Sequence, residues 1–288
     1  MDMTEDQVGS QIAIPTMKSL YIEMFRGELK LASGTGFLAA NDRQSHCAFI
    51  TNRHNVTGRD QDSGQCLHSQ GAEPDAIVIH FHKAGHVGEW VEIRLPLFRD
   101  DGTPYWIEHP RLGAAADLVA LNLSWGGDVS KYAYYMDLDL DRAGIYVGPA
   151  DTVSVIGFPF GQSSFGRFPI WATGFLAQEL ELITPDNPVF LVDCRARRGQ
   201  SGSAVISYRT GTYRTRRADG ALSSVMSGAS VWEFLGIYSG RLNPESDLGR
   251  VWHVTAVRDV LDAAHQDQVR REAAAALAAP SKDAPASV

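Results

Sequence analysis

The chain has 288 residues, 44% of them hydrophobic and 21% charged, a balance that describes a folded globular protein and excludes disorder along the whole length. Twenty-six Lys and Arg against 34 Asp and Glu leave a net charge of −8, the wrong sign for finding nucleic acid or an anionic membrane by bulk electrostatics. No run approaches the roughly 20 apolar residues that cross a bilayer. The opening MDMTEDQVGSQ is acidic where a signal peptide is basic, and Cys47, Cys66 and Cys194 are too few for a stapled secreted fold, so a cytoplasmic protein with reduced thiols is expected.

From about Lys18 to Leu123 the apolar pattern is short and strand-like: KSLYIEMF, GTGFLAA, HCAFITN, DAIVIHFH, WVEIRLPLF and DLVALNL lie between polar or Gly/Pro breaks. A polar, Tyr-rich stretch at 124–146 leads into a second series: TVSVIGF, RFPIWATGFLAQ, VFLVDCR, SGSAVISY, VWEFLGIYSG and GRVWHV. About six strands per half predict an all-β molecule of two packed barrels, over 18–125 and 126–254. Val257, Leu261, Ala264 and Val269 recur at helical spacing after a candidate N-cap at Thr255, which predicts a C-terminal helix over 255–278, followed by a disordered tail over 279–288. Residues 57–75 and 209–230 read as long irregular loops, the kind that more often carry function than decorate a compact β scaffold.

Three short segments carry the chemistry. ITNRHNV (50–56) ends a strand and puts His54 at a turn, where it serves equally well as a surface residue. AADLVALNL (115–123) puts Asp117 at an ordinary strand start. In RRGQSGSAVI (197–206), Gly199 and Gly202 bracket Ser201 and could do no more than shape a tight turn. A hydroxyl becomes a nucleophile when a base lies within reach and donors await the oxyanion, and Gly199 two residues before Ser201 lets two backbone N–H groups converge. Together His54, Asp117 and Ser201 supply base, orienter and nucleophile. An α/β-hydrolase elbow is excluded, because Ser203 stands where that motif needs Gly and the Asp and His that should follow the serine do not fall on an alternating β–α pattern.

With TNRHNV, DLVAL and GQSGSAV in the order His, Asp, Ser, the sequence resembles the chymotrypsin-fold, trypsin-like serine peptidases, in particular stand-alone bacterial ones. GFPFG (157–161), TGFLAQ (173–178) and LGIYSGR (235–241) add to the resemblance, which spans roughly residues 18–257. It implies two six-stranded Greek-key barrels, an oxyanion hole from the N–H groups of Gly199 and Ser201, and a substrate strand paired along Tyr238, Ser239 and Gly240. Members activated by a freed N-terminus carry Asp before the nucleophile; Gln200 stands there, so no such activation is expected. Six residues before the nucleophile the family often sets charge preference, and there Arg195, with Arg197 and Arg198 nearby, implies a pocket for Asp or Glu unless the arginines are solvated.

Cys66 with His68, and His80, His82 and His86, have strand-like i, i+2 spacings but match no zinc signature, so no metal and no cofactor is expected. The function expected is a substrate-restricted serine endopeptidase acting on peptides or proteins, with a regulatory protein partner as one means of restraint. The alternative is a latent protease-fold module that grips a peptide and awaits a partner.

Overall fold

The computed structural model describes residues 12–136, 143–243 and 245–278, and the tail expected over 279–288 lies outside them. A short helix α1 (Ile14–Lys18) leads into β1 (Ser19–Arg26), β2 (Leu29–Ala40) and β3 (Cys47–Thr51). The one-turn helix α2 (Arg53–Thr57) follows, then β4 (Ala76–His82), β5 (Trp90–Pro96), β6 (Trp106–Glu108), β7 (Val119–Asn122) and β8 (Ala133–Tyr135). These strands form one curled sheet in the order β5-β4-β1-β2-β3-β7-β6, with β8 joined to β2. It has eight strands rather than six, because β6 pairs with β7 and the parallel pairing of Leu38–Ala40 with Ala133–Tyr135 adds β8 past residue 125. Every residue of β4 (AIVIHFH) is buried, whereas β5 alternates between half-buried and exposed, as an edge strand with one wet face does.

The second half is a closed six-stranded barrel of β9 (Thr152–Gly157), β10 (Ile170–Leu176), β11 (Val189–Asp193), β12 (Ala204–Arg216), β13 (Leu222–Arg241) and β14 (Leu248–His253). Residues 209–230 are not an irregular loop. They form the outer half of the β12–β13 hairpin, which turns at 217–221 with Gly220 at φ 84°. Thr, Tyr, Val and Ser alternating along TYRTR and LSSVMS favour extended pairing, and the glycines in this stretch fall at a register shift and at the tip instead of breaking a ladder.

The principal core lies between the barrels. Phe37, Ile50, Leu118 and Tyr134 of the first half meet Ile156, Ile206, Phe234 and Ile237 of the second, with Tyr134 stacked on Phe234 at 4.5 Å. The helix α3 (Val254–Ala278) caps this seam through Val257, Val260, Leu261 and Ala264. Asn122 donates to the Ala264 carbonyl at 3.0 Å and ties the helix to β7. Beyond that point the helix runs into solvent, and Val269, expected on its buried face, is 51% exposed. Thr255 lies inside the first turn, with its N–H toward His253 Nδ1, so the ring of His253 rather than Thr255 is the capping acceptor. Among the described residues no helix is long and apolar enough to cross a membrane.

Candidate active site

A cleft of about 760 Å³ runs between the two halves, and His54, Asp117, Ser201, Ser239 and Gly240 all line it. His54 sits on α2, which Gly58 ends in the left-handed conformation (φ 67°). The Asp117 carboxylate, almost fully buried, receives the His54 backbone N–H on Oδ1 at 3.0 Å and His54 Nδ1 on Oδ2 at 2.7 Å. A carboxylate only accepts, so Nδ1 carries a proton, and in the neutral imidazole the lone pair lies on Nε2. Ser239 donates a third hydrogen bond, to Oδ2 at 2.5 Å, and Asn52 donates to the Asp117 carbonyl at 2.6 Å. Burial by itself would push the His54 imidazole down, but the charge and hydrogen bond of Asp117, with Asp60 adding to them, raise it above its ordinary value.

The turn that carries Ser201 is held from both halves of the molecule. Thr35 on β2 donates its N–H to the Ser201 carbonyl at 3.0 Å and its hydroxyl to the Gly199 carbonyl at 2.9 Å, and Asn55 also donates to the Ser201 carbonyl at 3.2 Å. Gln200, fully buried, receives the Arg197 N–H on its side-chain oxygen at 2.7 Å, so the residue before the serine braces its own turn without a charge. Phe160 donates its N–H to the Arg198 carbonyl at 2.6 Å, and Ser203 donates to the Gln200 carbonyl at 2.9 Å. In a trans peptide the C=O and the following N–H point in opposite directions. Fixing the Arg198 and Gln200 carbonyls therefore fixes the N–H groups of Gly199 and Ser201, which have no acceptor among the described residues. Gly199 stands at φ 91° with the Phe158 carbonyl 2.4 Å from where a Cβ would lie, so only glycine fits. No hydrogen bond within 3.5 Å joins Ser201 Oγ to His54 among the described residues.

The other residues singled out from the sequence separate. Tyr238 is buried and outside the cleft lining; its N–H and C=O are taken by Ser203 and Gly202, at 2.8 and 2.9 Å, which leaves none of its backbone for a substrate. Ser239 is skipped by the β13–β14 register, and Gly240 pairs with Arg250. Arg195 is exposed and outside the cleft, because β11 ends at Asp193 and the side chain turns to solvent; the cations that line the cleft are Arg198, Arg241 and Arg250. The candidate zinc residues disperse. His80 bonds Glu23 at 3.1 Å, while His82 is packed among Trp90, Tyr132 and Phe168, where burial pushes it down to about 4. Cys66 donates to Ala72 within its own loop.

Sequence reasoning missed the side-chain role of Ser239, the two hydrogen bonds of Thr35 and the contribution of Phe160. The glycines flanking Thr35 were a usable signal, since Gly inside a strand marks close backbone approach. Gly36 has Phe49 2.2 Å from its would-be Cβ, and Gly34 has Asn55 at 3.0 Å. Phe160, a non-glycine at φ 55° with an exposed ring, gave no such signal.

Among curated proteins none matches this sequence. Among solved structures the chain is similar to the active form of the Rv3671c protease from M. tuberculosis, at 15% identity and TM-score 0.48, covering 91% of this chain and 87% of that one. It is similar also to a serine endoprotease from Yersinia pestis, at 13% identity and TM-score 0.47, covering 93% and 69% of the two chains. The profile of the trypsin-like peptidase domain matches residues 34–213, more than half of the chain, and takes in His54, Asp117 and Ser201. The chain therefore belongs to the trypsin-like peptidase family.

Proposed function

We propose that the protein is a serine endopeptidase that cleaves peptide bonds through an acyl-enzyme. Ser201 Oγ attacks the scissile carbonyl and passes its proton to His54 Nε2, which then delivers it to the leaving amine. Water, deprotonated by the same imidazole, releases the acyl group from Ser201. Asp117 holds the Nδ1-protonated tautomer and stabilises the imidazolium, and the oxyanion is received by the N–H groups of Gly199 and Ser201. The observation that carries the reading is the buried carboxylate of Asp117, which gathers two His54 donors and Ser239 beside a turn with two unengaged N–H groups. The uncharged Gln200, whose side-chain oxygen accepts the Arg197 N–H of the same turn, supports activity without N-terminal trimming. Three free cysteines support a reducing compartment such as the cytoplasm. The 57–75 loop at the cleft supports a restricted substrate range, because Asp60, Asp62 and Leu67 all line it.

A second reading, a latent peptide-binding module, is favoured by the missing Ser201–His54 hydrogen bond. A fluorophosphonate probe read by intact mass separates the two. One adduct on the wild-type protein, absent from Ser201→Ala and His54→Ala, is the result expected of the peptidase. No adduct on folded wild-type protein overturns it in favour of the latent module.

A further inference from the structure

One ion pair spans the cleft. Asp62, in the loop that follows α2, and Arg250, on β14 of the second barrel, lie 188 residues apart in the chain, and Arg250 Nη1 donates to both carboxylate oxygens of Asp62, at 2.7 and 2.9 Å. Both side chains line the same cleft as His54 and Ser201.

The neighbouring strand makes this guanidinium reachable. Arg250 stands directly opposite Gly240 in the β13–β14 ladder, and residues so paired present their side chains on one face of the sheet. Gly240 has no side chain, and a Cβ built there would meet nothing within 4 Å. The face beside Arg250 is thus vacant at the place where a peptide laid along Ser239 and Gly240 would put a side chain of its own. The Asp62 side chain is 65% exposed and that of Arg250 31%, so this pair is held weakly and an incoming carboxylate displaces Asp62 at small cost. The loop does not depend on the pair for its shape. Arg59 is paired with Glu73, and Gln61 donates to the Ala114 carbonyl at 2.7 Å.

We propose that Arg250 reads an acidic side chain of the bound peptide, on the acyl side of the scissile bond, and that Asp62 occupies the same guanidinium when no peptide is there. The proposal rests on the cleft being the peptide-binding site, as in the function proposed above. A carboxylate already seated on Arg250 within the cleft supports it directly. The Asp60 carboxylate, which receives the Ser63 N–H and hydroxyl on Oδ1 at 2.8 and 2.7 Å, forms no ion pair with Arg250 among the described residues; that place is held by Asp62. Removing the charge of Asp62 both vacates Arg250 and takes away a like charge, so the two effects favour an acidic substrate together.

The test compares peptides that differ only by Glu or Gln at each of three positions before the scissile bond. Cleavage is measured with active protein, and equilibrium binding by fluorescence anisotropy is measured on the Ser201→Ala background. Wild-type protein is expected to favour Glu at one position by about fivefold. Asp62→Asn is expected to strengthen that preference through a lower KM, while Arg250→Gln abolishes it and Arg250→Lys retains part of it. Thermal melting confirms that each variant is folded. Equal use of Glu and Gln by the wild type overturns the proposal. So does a preference that survives Arg250→Gln, or equal effects of Asp62→Asn on both peptides, which would make the pair a tether for the loop and nothing more. Failure of the peptidase reading is distinguishable, because it removes cleavage and probe labelling but leaves the binding comparison on Ser201→Ala intact.

Discussion

Replacing Asp117 by Asn tests the electrostatics of the site with almost no change of shape. In the native protein Oδ2 receives two donors, His54 Nδ1–H at 2.7 Å and Ser239 Oγ–H at 2.5 Å, while Oδ1 receives the His54 backbone N–H at 3.0 Å. The amide oxygen of Asn can serve the backbone N–H, but its NH₂ group then faces the two donors on the other side. His54 relieves the clash by moving its proton to Nε2, which leaves it unable to take a proton from Ser201. The loss of base function and of imidazolium stabilisation is expected to lower kcat by about 10³- to 10⁴-fold, or about 4–5.5 kcal/mol of barrier. Steady-state cleavage of a peptide and the rate of fluorophosphonate labelling should fall together, with KM little changed. A folded Asp117→Asn protein that keeps more than about a tenth of wild-type kcat would refute the assignment of Asp117 as orienter.

The His54 pKa, raised by Asp117 and Asp60, moves the acidic limb of kcat/KM upward from the ordinary value of a histidine, with activity gained as pH rises through it. Asp60→Asn removes one of the raising charges, so a pH–rate profile should show that limb moved to lower pH. Gly202→Ala would put a Cβ 1.9 Å from the Thr35 carbonyl at φ 89°, and the strained backbone and clash should cost at least about 3 kcal/mol, seen as a fall in Tm of about 10 °C. Burial pushes the Cys47 thiol up to about 12 and the Cys194 thiol to about 11, so both should resist alkylation at pH 8 in the native protein and react promptly in urea, as read by mass spectrometry.

The β-rich architecture was legible because strand periodicity is local, and the residues carrying His54, Asp117 and Ser201 were legible because each sits in its own short motif. The structure brings His54 and Asp117 into contact and puts Ser201 on the same cleft. What escaped the sequence depends on approach in three dimensions. The hydroxyl of Ser239 reaches Asp117 across 122 residues, and Thr35 reaches Gly199 across 164. The extra strands of the first sheet were hidden for a different reason, since β6 and β8 are three residues each and too short to show an alternation. The 209–230 segment misled through its glycines, which read as breakers when the strand pairing tolerates them. Arg195 misled because its distance from Ser201 in sequence says nothing of where its side chain points, and past the end of β11 it is exposed and outside the cleft lining.

Thr35 belongs to the first sheet, yet it carries two of the bonds that shape the turn of Ser201 in the second. Neither half by itself contains the information for that turn. Its conformation is a readout of how the two barrels are docked, and a small separation along the seam would reorient the Gly199 and Ser201 N–H groups and move Ser201 relative to His54 at once. In a denaturant titration, loss of labelling at Ser201 should therefore precede the loss of β-sheet signal. The chemistry would be switched off by loosening that every strand survives.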